Sequence, residues 1–265
     1  AYEIHERLVG AEMCIRDSTA QEWDTFVKIH ETEHLSCITK ENWRQYAGII
    51  DRMFAATSAN LMAKVVIDAV HDGVGPRSIL SFNVEAVFLT LLNYYYMLNG
   101  NSNKVLFDRI ANSIHVQKHD RIPYFHCHGV IPINGYNARK GHLASDKLVL
   151  TEDNYLELAN NSFSWQATSF IDNCMNRRVV FCGVSLTDAN MRRWLSWIHA
   201  NKMAEFKENG LNCRDATEHF WICKKPNTVQ EKIWLEESVA HLGVRLVWID
   251  EWNQTGEVLK KMLGL

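Results

Sequence analysis

Asn83 follows the apolar run ILSF, His128-Gly129 follows YFHC, and Gly183-Val184-Ser185-Leu186 follows VVFC. An amide orients sugar hydroxyls, a small Gly/Ser turn admits a ribose or a phosphate, and an imidazole of unperturbed pKa roughly 6.5 accepts a proton near neutral pH. Taken singly, each has a plainer reading. Asn tolerates the left-handed region at strand ends, so Asn83 reads equally well as a turn residue. Asp188 reads as a helix cap or as a ribose contact. His126 and His128 alternate along one strand and, with His115, His119 and His142, suggest a metal site. Carboxylate and cysteine ligands at matching spacing are missing, however, so no metal is expected and His126 reads as structural.

The elements that must position these groups alternate along the chain. Trp23, Phe26, Val27 and His30 share a helical face, as do Trp43, Tyr46, Ile49, Ile50 and Met53. A third helix is expected over residues 60–69, ended by the glycines and Pro76 of HDGVGPRS. SILSF then reads as a buried strand leading into an apolar helix stopped by Gly100, and IPYFHCHGVIPI as a strand broken by Gly129 and Pro132. LVLTEDNYLELANN and SFSWQATSFIDNCMN read as helices and RVVFCG as a strand. Asp188 or Thr187 caps a helix whose Met191, Trp194, Leu195 and Ile198 recur at helical spacing. Strand HFWIC, a helix opened by Thr228 and Glu231 and stopped by Gly243, and strand VRLVWID complete the pattern. Such alternation predicts an α/β, Rossmann-like parallel sheet with helices on both faces. Ligands bind such sheets beyond the carboxyl ends of the strands, which is where the three polar stretches fall.

Composition narrows the partners. A chain of 265 residues, 47% hydrophobic and 22% charged, supports one sizeable core. A net charge of −3 and a pI near 6.5 give no general drive toward nucleic acid or an anionic membrane, so neither partner is expected. The seven cysteines are scattered singly, without a C-x-x-C pair, which fits reduced thiols and a cytoplasmic setting. The tyrosine run at 94–96 and the dispersed tryptophans read as core or interface, because no basic patch accompanies them.

The beginning of the chain reads differently. RLVGAEMCIRDST, residues 7–19, imitates a strand entering a phosphate loop, but Glu12 and Met13 stand where further glycine is needed. Glu12 would also set a carboxylate against the anion. Residues 12–18 resemble an in-frame translation of GAGATGTGTATAAGAGACAG, a transposase end used in sequencing libraries. Leu8-Val9-Gly10 and residues 1–4 resemble the adapters outside it. Residues 1–18 are therefore expected to be non-native and residues 19–265 to form one domain, partial at its start.

The Asn motif, the His-Gly motif, LVLTEDNYLEL, the Trp of SFSW and VVFCGVSLTDANMRRWL occur in the order found in sirtuin-like (SIR2-type) NAD-consuming proteins. The resemblance runs from about residue 79 to 249 and is strongest to the bacterial branch linked to antiphage defence. It implies a central first strand and Gly-rich loop that this chain lacks. It also implies that Asn83 contacts the nicotinamide ribose and an attacking water, and that His128 is the general base. Ser81, Glu85 and Gly129 would contact NAD, with Gly183, Ser185 and Asp188 on the adenosine side. Glu85 stands where the family usually has Asp, and Val84 where Tyr, Ile or Phe is common. Deacetylating sirtuins carry two cysteine pairs between the His-Gly and Gly-x-Ser motifs, whereas this interval has only Cys174 and Cys182. The resemblance thus implies an NAD hydrolase without a zinc module, partnered by a second copy or a defence protein. A non-catalytic NAD or ADP-ribose sensor and a purely structural subunit are the other readings.

Overall fold

The computed structural model describes residues 58–83, 87–99, 105–130, 149, 152–161, 163–212 and 219–265. The two helices expected between residues 23 and 53, together with Val84, Glu85 and His142, lie outside them, as does residue range 1–18. The described residues fall into two compact units, one formed by residues up to 149 together with 253–265, the other by residues 150–252.

The first unit opens with α1 (Ser58–His71), followed by β1 (Ile79–Ser81), α2 (Val87–Leu98), β2 (Phe107–Ile110) and β3 (Ile122–His126). Helix α1 stops where Gly73 takes a left-handed φ of 75°. The Gly73 N–H donates to the Val70 carbonyl and the Val74 N–H to that of Ala69, a Schellman closure that only glycine enters without strain. The three strands form a parallel sheet in the order β1-β3-β2, with Ser81 opposite His126 and both Ile79 and Arg109 opposite Tyr124. Helices α1 and α2 meet through buried Asn60, whose side-chain oxygen accepts from the Tyr95 hydroxyl. Ile67, Leu91, Leu92 and Tyr124 are the fully buried centre of this unit.

The second unit comprises α3 (Glu152–Asn160), α4 (Trp165–Asn176), β4 (Val180–Phe181), α5 (Ala189–Glu208), β5 (His219–Lys224), α6 (Val229–Ala240) and β6 (Val244–Ile249). Its strands are also parallel, in the order β4-β5-β6. The apolar stripe of α5 is buried as its spacing predicts, with Leu195 fully enclosed and Trp194 packed 5.5 Å from the Phe170 ring of α4. Ser164 caps α4 by accepting from the Ala167 N–H, and Thr228 caps α6 by accepting from the Glu231 N–H. A last helix, α7 (Thr255–Leu263), belongs to the first unit and packs on α1. At Gly256 of α7 a Cβ would lie 3.1 Å from Cβ of Leu61, so the close helix approach leaves little room for a side chain.

The fold is thus the expected mixed α/β arrangement of parallel strands flanked by helices, with two differences in detail. The described strands form two three-stranded sheets, in which β1 and β4 each pair on one side only. Strand β2 and helix α7 were not foreseen.

Candidate functional site

In the first unit, Asn83 and His128 follow the carboxyl ends of two neighbouring parallel strands, β1 and β3. The local sequence explains how each is held. Ser81 is the last residue of β1, and its hydroxyl accepts the Asn83 N–H at 3.3 Å, so the backbone turns directly into the amide-bearing residue. Ser81, expected to touch NAD, therefore has a bracing role in the turn. Strand β3 ends at His126, two residues earlier than an alternation of His126 and His128 along it requires. The Cys127 N–H still donates to the Ser81 carbonyl, but the Gly129 N–H then folds back onto the His126 carbonyl at 3.0 Å, and Gly129 adopts a φ of 82°. That turn removes His128 from the strand. His126 and His128 consequently do not share a strand face: His126 packs against Tyr124, whereas His128 meets the Phe82 ring edge-on at 5.1 Å. His128 is buried, only 4% exposed, and its carbonyl accepts from the Val149 N–H. The imidazole is thus held against the turn that follows β1.

Two other histidines of the suggested metal set, His115 and His126, have separate explanations. His115 is engaged by the buried Asp108 carboxylate at 3.0 Å, which also accepts the Lys118 N–H at 2.8 Å. His126 is fully enclosed, and burial, reinforced by the charge of Arg109, pulls its pKa down to about 3. Among the described residues, no group of three or more His, Cys, Asp or Glu is arranged to hold a metal ion.

The second unit carries the turn from Gly183 to Asp188, just past β4. Gly183 has a φ of 66° and open space where a Cβ would project. Ser185 and Thr187 share a hydrogen bond between their hydroxyls at 2.6 Å, and the Thr187 N–H donates to Ser185 Oγ. Leu186, almost wholly buried, holds a positive φ of 51°, a conformation that is unfavourable by roughly 1–2 kcal/mol for an L-residue with a Cβ. Three contacts hold that shape: the Trp221 indole N–H donates to the Val184 carbonyl, and the Arg192 guanidinium donates to the carbonyls of Leu186 and Ser238. Asp188 is the cap of α5, one carboxylate oxygen accepting from both the Asn190 and Met191 N–H groups. Trp221 and Arg192 were missed as determinants of this turn, because nothing local in sequence links them to it. Cys182, beside Gly183, has its thiol pushed up to about 12 by burial and is therefore no nucleophile.

Parallel strands, connecting helices and polar turns past the strand ends define a Rossmann-like α/β protein. The sequence profile of the SIR2-like domain matches residues 88–242, more than half of the chain, and the chain belongs to that family. The match includes His128, Gly129, Gly183, Ser185 and Asp188, while Ser81 and Asn83 lie just upstream of it. No curated protein matches the chain. The family includes NAD-dependent enzymes, which ties the chain to NAD chemistry.

Proposed function

We propose that the chain is an NAD hydrolase that releases nicotinamide and ADP-ribose, with Asn83 and His128 at the reacting ribose. The observation that supports it is the placement of an amide and a buried imidazole after adjacent strands of a SIR2-like chain. Water adds to the anomeric carbon of the nicotinamide ribose as the bond to the pyridine nitrogen breaks. The bonding electron pair returns to the ring, so nicotinamide leaves neutral and needs no acid. Asn83 orients the water and the ribose, and His128 takes the proton that the water gives up. Glu85 and Gly129 flank these two groups in sequence and complete the ribose contacts, while Gly183, Ser185 and Asp188 serve the adenosine part.

The absence of paired cysteines between Gly129 and Gly183 favours hydrolysis over protein deacetylation. The output in this reading is depletion of cytoplasmic NAD during bacterial antiphage defence, with a second copy or another defence protein as partner. Residues 1–18 are proposed to be translated adapter, which amplification of the locus from its source DNA checks directly. The assay therefore uses the chain with the locus's own sequence in place of residues 1–18. Nicotinamide release should fall by roughly 10²–10⁴-fold in His128→Ala and at least as far in Asn83→Ala, with thermal melts unchanged. A second reading, an NAD or ADP-ribose sensor, is favoured by Glu85 in place of the family's Asp. NAD binding with no product from the unsubstituted protein would establish that reading instead.

A further inference from the structure

The first sheet carries a partly buried cation that no carboxylate among the described residues pairs with. Arg109 of β2 and Tyr124 of β3 are partners in register, and His126, two residues along β3, stands on the same face. Nε and Nη2 of Arg109 are closed off from solvent and have no hydrogen-bond partner. The same is true of both ring nitrogens of His126, which is 0% exposed. Burial pulls the Arg109 pKa down from its usual value. The Tyr124 ring, also 0% exposed, packs 4.9 Å from that of His126.

Buried polar groups in folded proteins have partners, and an exception points to a bound water or ion. The unsatisfied atoms here have a particular arrangement. Nε and Nη2 form the side-on edge of a guanidinium, two parallel N–H donors spaced to receive both oxygens of one carboxylate or phosphate. The neutral His126 ring adds a third N–H donor from the adjacent position on the same face. Arg109 as a whole is only half-buried.

We propose that Arg109, His126 and Tyr124 form an oxyanion site on this sheet face, which takes one phosphate or carboxylate group side-on to the Arg109 fork. It is distinct from the residues assigned to the nicotinamide ribose. Occupancy would couple folding of the first unit to anion concentration, because the ligand binds a charge that only the folded state buries.

Thermal melts of the full chain in rising inorganic phosphate, and separately in acetate, each against chloride at constant ionic strength, test the site. The wild-type melting temperature should rise and saturate with at least one oxyanion, the stronger response telling phosphate from carboxylate. Arg109→Met should abolish the rise and, in chloride alone, should melt no lower than wild type, since it removes an unpaired buried charge. The exposed Arg245→Met should respond as wild type does. Arg109→Lys, which keeps the charge without the fork, should need at least about tenfold more anion for half the effect. An unsaturable or absent rise in wild type, or an undiminished one in Arg109→Met, overturns the proposal. Should Arg109→Met fail to fold, phosphorus line widths of phosphate with wild type and Arg109→Lys decide: equal broadening, or none, overturns it.

Discussion

His126 and His128 are two residues apart, yet their surroundings differ sharply. His128 lies past the strand, in a turn created by Gly129, where its ring meets Phe82. His126 remains inside the sheet, held neutral with a pKa near 3 by burial and by the charge of Arg109. That depression has a sign that can be measured. Above pH 6.5 the imidazole is neutral both folded and unfolded and adds no pH dependence. Between about 6.5 and 3 the unfolded chain takes up a proton that the folded chain refuses, so stability is lost as the pH falls through this window. The slope approaches roughly 1.4 kcal/mol per pH unit and levels off below pH 3. Urea melts of wild type and His126→Phe over this range should diverge accordingly, because the substitution removes the titrating ring. Parallel pH profiles would show that His126 is not the group responsible for acid sensitivity.

Elements were legible in sequence where one local signal sufficed. The stripe of Met191, Trp194, Leu195 and Ile198 announces α5, and Asp188 announces its start. Strand β2 was hidden because Asp108 and Arg109 interrupt its apolar pattern. Asp108 is tolerated there only because the Lys118 N–H and His115 reach it from beyond the strand, a pairing that no local pattern displays. Helix α7 was hidden for a related reason: it is short, its burial rests on Thr255, Gly256 and Leu259, and its place depends on α1, distant in sequence. At the candidate site, sequence singled out Asn83 and His128 as candidates but not what holds them, the Ser81 hydroxyl and the backbone turn at Gly129. Asp188 is the helix cap that one of its two readings expected. Asp188→Ala should destabilise the protein by about 1 kcal/mol through loss of the cap, and Asp188→Asn should restore most of it. In the proposed function both variants weaken NAD binding by calorimetry. Unchanged affinity in Asp188→Asn would leave the cap as its whole role.

At the level of the molecule, the near-neutral charge leaves recognition to specific sites rather than to a general field. None of the helices among the described residues is long and apolar enough to cross a membrane. Each unit has its own parallel sheet and at least one buried cysteine. Cys127 lies in the first unit, and Cys174, Cys182 and Cys223 lie in the second, all as free thiols. Burial drives every one of these four thiols far above the usual range, Cys174 and Cys182 to about 12, so these four present almost no thiolate at neutral pH. Alkylation at these positions must therefore wait for local opening, and its rate measures how often each unit opens. Timed alkylation followed by peptide mass analysis should modify Cys174, Cys182 and Cys223 together, with Cys127 free to follow a different course. The protein thus contains native chronometers of its own breathing, which would reveal whether a bound nucleotide steadies one half of the chain or both.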